Sequence, residues 1–272
     1  MRNIFRNSSI RDSILIPIVL IVIISLITSS YLTFINFKST SEEIGESSSK
    51  EINKQIILNF ENYIESVIDT ADYIQQKTIE QGLKNENDTL EDIYGQAADV
   101  QPDIESIILF DLNGQAIVNS SFRDISMDDI TLKEWFIDAL SVDSIYHFSS
   151  PHQQDVFESS NAVVITVTKI VDYYVAGEKL EAVLVVDINT SSIIQLTETT
   201  NLGDGGHIVI LNDDDTLIYS DLDTNQYSLS ESIAITQDIF RGESVKINDI
   251  SMYVNASTLQ DTRWVLATFI NT

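Results

Sequence analysis

The chain has 272 residues, none of them cysteine, and its 15 basic and 42 acidic residues give a formal net charge of −27 at pH 7. This charge argues against nucleic acid as a partner, because phosphate groups would be repelled. The lack of cysteine excludes disulfides and Cys–zinc sites. Because 43% of the residues are apolar, the chain can bury a core and is not a disordered tail.

The N-terminal region contains one long apolar segment. Residues 14–37 (ILIPIVLIVIISLITSSYLTFINF) carry no charge, and about 20 such residues suffice for a transmembrane helix. Three arginines precede the segment, so the positive-inside rule places residues 1–13 in the cytoplasm and the bulk of the chain outside the cell membrane. The alternative is a cleaved secretory signal, but the segment is longer than the apolar part of a signal and no A-x-A-like site follows it.

Residues 38–85 are predicted to form a long extracellular helix that continues the span. Apolar residues recur there at steps of three and four, and the segment contains no proline. At about 1.5 Å per residue the helix is longer than a compact domain needs. Its apolar face could be ordinary core, a coiled-coil seam near the membrane, or both, so we expect a spine and a homodimer contact. The apolar positions are Ile44, Ile52, Ile56, Ile57, Phe60, Tyr63, Ile64, Val67, Ile68, Ala71, Ile74 and Ile79.

The rest of the chain predicts short helices and many strands. Alternating or continuous apolar runs bounded by Gly, Asn, Asp and Pro favour strands, and Asp111 to Gly114 supply turn chemistry for a hairpin. The predicted helices are 90–100, 132–140 and 190–202. The predicted strands are 105–110, 115–120, 145–148, 162–171, 180–188, 207–211, 216–220, 243–247, 251–256 and 262–270.

One strand–turn–strand unit recurs about a hundred residues further along the chain. Residues 108–120 (ILFDLNGQAIVNS) align without a gap with residues 209–221 (VILNDDDTLIYSD). Such a repeat suggests two related sheet modules, which we place at residues 86–190 (the first module) and 191–272 (the second module). The predicted class is therefore α+β, with two mixed or antiparallel sheets after the long helix.

These features together resemble the double Cache domain, the extracellular sensor module of bacterial chemoreceptors, sensor kinases and cyclic-dinucleotide enzymes. The segment 133–139 (KEWFIDA) is similar to the family's R-x-W-Y-x-x-A, and the strand 183–187 (VLVVD), the Gly-rich segment 203–206 and the closing 263–266 (RWVL) also resemble it. The resemblance implies two PAS-like modules, with the first one membrane-distal and binding a small molecule. It also implies a receptor domain rather than an enzyme.

The resemblance also implies a set of ligand-binding residues. Lys133 stands where the family has an arginine that grips a ligand carboxylate, Trp135 and Phe136 form the wall beside it, and Asp187 faces the ligand's ammonium group. The family's P-Y-x-D segment falls on 151–154 (PHQQ). There the tyrosine is replaced by histidine and the aspartate by glutamine, with an aspartate one place further; the pocket residues at this segment are His152, Gln154 and Asp155.

The residues themselves leave alternatives open at three of these positions. Lys133 is one of few cations in an acidic region and could meet an anionic ligand between aromatic walls, or it could be a surface lysine beside a core tryptophan. Asp187 ends an apolar strand, and burying its carboxylate is costly; it either reaches solvent or holds a cation such as a ligand amine or Lys133. His152 is a pocket wall or a loop residue.

No catalytic, metal or cofactor site is expected. His147, His152 and His207 are scattered, and neither H-E-x-x-H nor G-x-S-x-G occurs. Asp213 to Asp215 lack the spacing of a calcium loop and are expected to be a solvated turn. We expect a sensor that binds an amino-acid-like compound, a carboxylate or an amine, with a second span and an output domain beyond Thr272. The alternative is an anchored surface protein with a structural or adhesive role.

Overall fold

The computed structural model describes residues 10–84, 90–120, 129–141, 145–157, 162–175, 177–198, 202, 206–212, 216–221, 245–247 and 250–271. The helices are α1 Ile10–Lys84, α2 Leu90–Val100, α3 Glu134–Ala139 and α4 Thr190–Glu198, with a 3₁₀ turn at Ile130–Leu132. The strands are β1 Ile104–Asp111, β2 Ala116–Asn119, β3 His147–Phe148, β4 His152–Gln153, β5 Val163–Val175, β6 Glu178–Asn189, β7 His207–Leu211, β8 Leu217–Ser220, β9 Val245–Ile247, β10 Ile250–Thr258 and β11 Val265–Asn271. The described fold is α+β, as predicted.

The chain divides into two compact units, one containing residues 1–50 and the other residues 51–271. In the first unit every residue from 14 to 37 is exposed, including all of its large apolar side chains. Among the described residues, α1 is the helix that is long and apolar enough, by length and composition, to cross a membrane. This segment coincides with the predicted span.

The unit of residues 51–271 contains two antiparallel sheets with the same strand order. The first sheet runs β2-β1-β6-β5-β3, with β4 also paired to β5, and the second runs β8-β7-β11-β10-β9. In each sheet the first hairpin lies beside the C-terminal strand of its module. The equivalence of the two orders agrees with the predicted repeat.

The two hairpins match residue by residue. Ile108 pairs with Asn119 in the first sheet, and Val209 pairs with Ser220 in the second, which are the pairs that the gapless alignment superimposes. Both hairpins also have a register shift one residue before the turn. Gly114 in the first turn has φ of +79°, a left-handed conformation that glycine adopts without steric cost.

Helix α1 forms the common core wall of both sheets. Ile56, Phe60 and Ile64 belong to the buried cluster of the second sheet, whereas Val67, Ala71 and Ile74 belong to that of the first sheet. The three- and four-residue spacing predicted a single apolar stripe, and the structure uses successive parts of that stripe for the two sheets. The interpretation of this face as core is confirmed. The opposite face of the first sheet is covered by α3 and by the segment that contains Val156 and Phe157.

An ion pair and a hydrogen bond connect α1 to the first sheet beside this core. Lys169 Nζ on β5 donates to Asp72 Oδ1 on α1 at 2.6 Å, and the Tyr146 hydroxyl donates to the same carboxylate. The Lys169 ammonium also lies 4.6 Å from the centre of the Tyr146 ring. Partial burial acts to raise the pKa of Asp72, but the hydrogen bonds from Lys169 and Tyr146 outweigh it, and the pKa lies below its ordinary value.

The structure shifts several predicted element bounds; the last strand begins at Val265 rather than at residue 262, and the strand predicted at 145–148 is His147–Phe148. Helix α3 begins at Glu134 rather than at residue 132, because Lys133 is extended and its carbonyl accepts the first helical hydrogen bonds. The segment around His152, expected as a loop, forms the short strand β4 beside β5. The predicted turn at 213–215 and the glycines at 203–205 lie outside the described residues.

Candidate ligand-binding site

A cavity of about 480 Å³ opens beside α3. The first module contributes the start of α3 and the segment from Phe148 to Asp155, and the second module contributes Asn212 and Arg263. The lining therefore contains charges of both signs, hydroxyl groups and aromatic rings. This composition suits a small polar ligand rather than a purely apolar one.

Lys133 and Asp155 form an ion pair in the cavity wall. Lys133 Nζ lies 2.6 Å from Asp155 Oδ2, and the two side chains are 21% and 35% exposed. Lys133 is held at the wall because it precedes the first turn of α3 with an extended backbone. The other carboxylate oxygen, Asp155 Oδ1, is buried and has no hydrogen-bond partner among the described residues. A buried acceptor without a donor is costly.

The aromatic residues next to Lys133 belong to the core of the first module. Trp135 lies 6.2 Å from Phe110 and 6.1 Å from Phe136, measured between ring centres. Trp135 is 5% exposed and lines the cavity, whereas Phe136 is fully buried and is not part of the lining. Trp135 thus supplies the aromatic wall, and Phe136 supports it from behind.

His152 lies on the cavity wall and is held there through both ring nitrogens. Nδ1 lies 3.0 Å from the Ser150 carbonyl oxygen, and Nε2 lies 3.3 Å from Thr166 Oγ1. The Thr166 hydroxyl donates its proton to Asp187 Oδ1 at 2.7 Å, so Thr166 Oγ1 lies between the imidazole and that carboxylate. The imidazole is therefore connected through one hydroxyl group to a buried carboxylate.

Asp187 lies behind the cavity rather than in its lining. It is 1% exposed, and its carboxylate accepts hydrogen bonds from Ser106 Oγ at 2.8 Å, Gln154 Nε2 at 2.8 Å and Thr166 Oγ1 at 2.7 Å. The alternative in which it reaches solvent at the strand end is wrong, because β6 continues to Asn189 and neighbouring elements cover it. It does not pair with Lys133 either, whose ammonium bonds to Asp155.

Gln154 links this buried group to the backbone of the segment that follows it. Its amide nitrogen donates to Asp187, and its amide oxygen accepts from the backbone N–H groups of Val156 and Phe157 at 2.9 and 3.1 Å. Gln154 is 2% exposed. Gln154 and Asp187, which the family resemblance both places in the ligand pocket, are here hydrogen-bonded to each other.

The environment of Asp187 gives a testable pH dependence. Burial raises the pKa of its carboxyl, although hydrogen bonds from Thr166, Gln154 and Ser106 act in the opposite direction. A raised folded-state pKa means that the folded chain holds the proton to higher pH than the unfolded chain, whose ordinary value is about 3.9. The contribution of this group to stability is therefore greatest below that value and declines as pH rises through the folded-state pKa.

We expect Asp187→Asn to remove this dependence. The free energy of unfolding of wild type minus that of the variant should fall as pH rises from about 4 towards neutrality. Urea unfolding of both proteins at several pH values measures the difference. Asp172→Asn, which removes a partly exposed carboxylate on β5, is the control and should not reproduce the trend. A difference that rises with pH would contradict the assignment.

The structure thus separates the seven residues proposed from the sequence. Lys133, Trp135, His152 and Asp155 line one cavity, whereas Phe136, Gln154 and Asp187 lie behind its wall. Sequence reasoning missed Asn212 and Arg263, which the second module adds. Arg263 could have been found as one of the few cations of an acidic chain, but nothing in the sequence indicates the tertiary contact that brings it to the first module. Among the described residues, no group of three or more His, Cys, Asp or Glu could hold a metal ion.

Comparison with solved structures identifies the fold. The ligand-binding domain of the Campylobacter jejuni chemoreceptor Tlp3, in complex with 4-methylisoleucine, matches with a TM-score of 0.63 at 15% identity, covering 84% of this chain and 91% of that one. The ligand-binding domain of the Pseudomonas fluorescens chemoreceptor CtaA with L-leucine matches with a TM-score of 0.64 at 14% identity, covering 85% and 96%. The extracellular domain of the putative histidine kinase rpHK1S-Z16 matches with a TM-score of 0.57 at 15% identity, covering 86% and 95%.

No curated protein matches the sequence. The profile of the Cache domain family (dCache_1) matches residues 38–272, which include both sheets and the part of α1 from residue 38 onward. This chain belongs to the Cache domain family.

Proposed function

We propose that this chain is the extracellular ligand-sensing region of a bacterial transmembrane signalling receptor, and that it binds a small molecule in the first module. The observation that carries the proposal is the cavity of about 480 Å³ whose wall contains the Lys133–Asp155 ion pair. Family membership supports a sensor rather than an enzyme. The similar chemoreceptor domains were solved with amino acids or a close relative of one bound.

The proposed ligand is an amino-acid-like compound, a carboxylate or an amine. Lys133 provides a cation and Asp155 an anion in the same wall, and Trp135 provides an apolar surface between polar groups. A lysine binds a carboxylate as a point charge, without the two parallel hydrogen bonds of an arginine. The ligand set of the chain is therefore expected to differ from that of relatives with an arginine at this position.

The proposed topology has one N-terminal span, a short cytoplasmic N-terminus and the bulk of the chain outside the cell. The support is the exposed apolar segment of α1 together with the arginines before it.

We also infer a homodimer that uses α1, since this helix carries exposed large side chains such as Ile44 and Tyr73. Light scattering of the purified chain tests this inference, and a molar mass of one chain at all protein concentrations would contradict it.

The proposed mechanism is a shift between two arrangements of the module. A ligand that binds one arrangement more tightly increases its population by its differential affinity. Because the first sheet packs directly on Val67, Ala71 and Ile74 of α1, a change in that sheet alters the contacts of the long helix.

A binding screen of the full chain in lipid nanodiscs tests the proposal. The chain has two tryptophans, Trp135 in the core of the first module and Trp264 in that of the second, so intrinsic fluorescence reports unfolding of both modules without a label. Melting is followed with single amino acids, carboxylates and amines. A compound at about 100 times its Kd should stabilise the fold by about 2.7 kcal/mol.

The control separates binding from stability. Lys133→Ala should abolish the ligand-induced shift, which is measured from the variant's own unliganded melting temperature because the change also removes the ion-pair partner of Asp155. Lys179→Ala removes an exposed lysine that pairs with Asp172 and should keep the full shift. If no compound of the three classes stabilises the wild type, the sensor proposal fails and an anchored surface protein becomes the better description.

A further inference from the structure

His152, Thr166 and Asp187 form a hydrogen-bonded relay that leads from β4 into the interior of the first sheet. His152 Nε2 lies 3.3 Å from Thr166 Oγ1, and Thr166 Oγ1 lies 2.7 Å from Asp187 Oδ1. Thr166 and Asp187 are each 1% exposed, so bulk water reaches neither side chain. The hydrogen atoms of these contacts therefore come from the three residues themselves.

The other ring nitrogen of His152 faces oxygen atoms and carries a proton. Nδ1 lies 3.0 Å from the Ser150 carbonyl oxygen, which can only accept a hydrogen bond. The Ser149 hydroxyl, 3.3 Å from Nδ1, donates to the same carbonyl oxygen and accepts from Thr166 N. A bare Nδ1 would place its lone pair against that of the carbonyl oxygen, so we assign a proton to Nδ1.

The relay then needs one proton more than a neutral imidazole and an ionised carboxylate provide. Thr166 has a single hydroxyl proton, which points to Asp187 or to His152 but not to both. If Nε2 carries the additional proton, His152 donates to Thr166 and Thr166 donates to Asp187. If Asp187 Oδ1 carries it, both bonds reverse their direction. Without it, one of the two contacts joins two acceptors.

The carboxyl group of Asp187 is arranged to share such a proton. Ser106 and Gln154 both donate to Oδ2, each at 2.8 Å, so these bonds persist whichever end of the relay carries the proton. Oδ1 bonds to Thr166. Burial raises the pKa of the Asp187 carboxyl, which favours retention of a proton in the relay.

We propose that a proton is a second ligand of the first module: His152 and Asp187 hold it in common through the Thr166 hydroxyl, and its release loosens residues 148–155 from β5. The inference goes beyond the proposed function, because it does not depend on which small molecule the module binds. Strand β4 consists of two residues and begins at His152. The ring contact therefore adds to few backbone bonds, and its loss weakens the attachment of the segment.

The charges around His152 are compatible with a proton at this position. The charged side chains that line the cavity together with His152 are Lys133, Glu134, Asp138, Asp155 and Arg263. Lys133 and Asp155 compensate each other at 2.6 Å, and the carboxylates of this set outnumber the cations. On the side of the sheet, the titratable groups are Asp187 and His147, which lies on β3 beside the same part of β5. The surrounding charge therefore does not oppose an additional proton.

Solid-state ¹⁵N NMR of the full chain in lipid bilayers tests the proton count. The chain has three histidines, so labelling histidine alone gives three pairs of ring nitrogens, and the pair lost in His152→Asn is assigned to His152. Between about pH 5 and pH 10, Nδ1 should stay protonated and the Nε2 signal should report release of the shared proton. Asp187→Asn should move the midpoint of that release by about one pH unit or more towards acid. The same pH curve in both proteins, or an unprotonated Nδ1, would overturn the proposal.

Two variants of Thr166 separate its hydroxyl group from its packing. Valine has nearly the same shape without the hydroxyl, so Thr166→Val should also move the midpoint towards acid, whereas Thr166→Ser keeps the hydroxyl and should retain the wild-type midpoint. Asp172→Asn, which removes a partly exposed carboxylate elsewhere on β5, should leave it unchanged. His207, whose Nδ1 lies 3.5 Å from Asp221, is the internal reference in every sample. A wild-type midpoint in Thr166→Val would overturn the bridging role of the hydroxyl.

Hydrogen exchange measured by mass spectrometry tests the response of residues 148–155. His152→Asn is the informative variant, because the asparagine amide can still donate to the Ser150 carbonyl oxygen but has no counterpart of Nε2. Wild type and variant are compared at the same pH, which cancels the effect of pH on the chemical exchange rate. Below the midpoint the variant should exchange about fivefold faster in this segment, and above it the two should exchange alike. Equal exchange below the midpoint would overturn the link between the proton and the segment.

Discussion

Replacing Phe60 by alanine is expected to lower the free energy of unfolding by about 3–5 kcal/mol, since truncating a buried phenylalanine removes its apolar burial and leaves a cavity. Phe60 is 1% exposed on α1 and belongs to the cluster that contains Ile210 of β7, Leu266 of β11 and Trp264. These residues come from β7, from β11 and from the turn directly before β11, so they cannot collapse into the space without moving the helix. Urea unfolding followed by tryptophan fluorescence measures the loss.

The matched control for Phe60 is an apolar side chain that is already exposed. Leu112, in the turn between β1 and β2, is 43% exposed, and Leu112→Ala should change stability by about 0.5 kcal/mol or less. A loss below about 1 kcal/mol for Phe60→Ala would mean that α1 is not the core wall of the second sheet, because truncating a core phenylalanine lowers the free energy of unfolding by more than that.

Gln154→Leu is expected to cost about 3 kcal/mol or more, although leucine is close to glutamine in size. The change removes one donor from the buried Asp187 carboxylate and the acceptor of the Val156 and Phe157 backbone N–H groups. Each buried polar group left without a partner costs about 1–3 kcal/mol. Thermal and urea unfolding of the variant give the size of the loss.

The neighbouring residue provides the control for this second prediction. Gln153 is exposed on β4, so Gln153→Leu should lie within about 0.5 kcal/mol of wild type. Equal effects for the two glutamines would show that the loss arises from an added apolar residue and not from the Asp187 network.

Gln154→Glu is a further check, because a second carboxylate next to Asp187 should destabilise the fold most at neutral pH.

Most of the fold could be predicted because its signals are local. The apolar stripe of α1 and the turn at Gly114 depend on residues a few positions apart, and periodicity records such relations. The repeat of 108–120 at 209–221 was visible for the same reason, and the strand pairs Ile108–Asn119 and Val209–Ser220 show that it reflects structure. The start of α3 was placed two residues early because the extended backbone of Lys133 has no sequence signal.

The site was less predictable because its groups meet only through tertiary packing. Lys133 and Asp155 are 22 residues apart, and the distance between them depends on how β4 lies against β5. For Asp187 the sequence left two alternatives, solvent or a cation, whereas in the structure three neutral donors from β1, β5 and the segment after β4 hold its carboxylate. Arg263 reaches the cavity from the other module, which no local pattern could indicate.

The scarcity of basic residues has a consequence for the solution around the protein. Lys169 and Lys133 are each committed to one carboxylate at 2.6 Å, and beyond residue 37 the chain has 12 basic residues for 41 acidic ones. Most of these negative charges are therefore balanced by a diffuse atmosphere of sodium or potassium ions. Because such an atmosphere screens exposed charges, we expect the affinity of the cavity for a charged compound to depend on ionic strength.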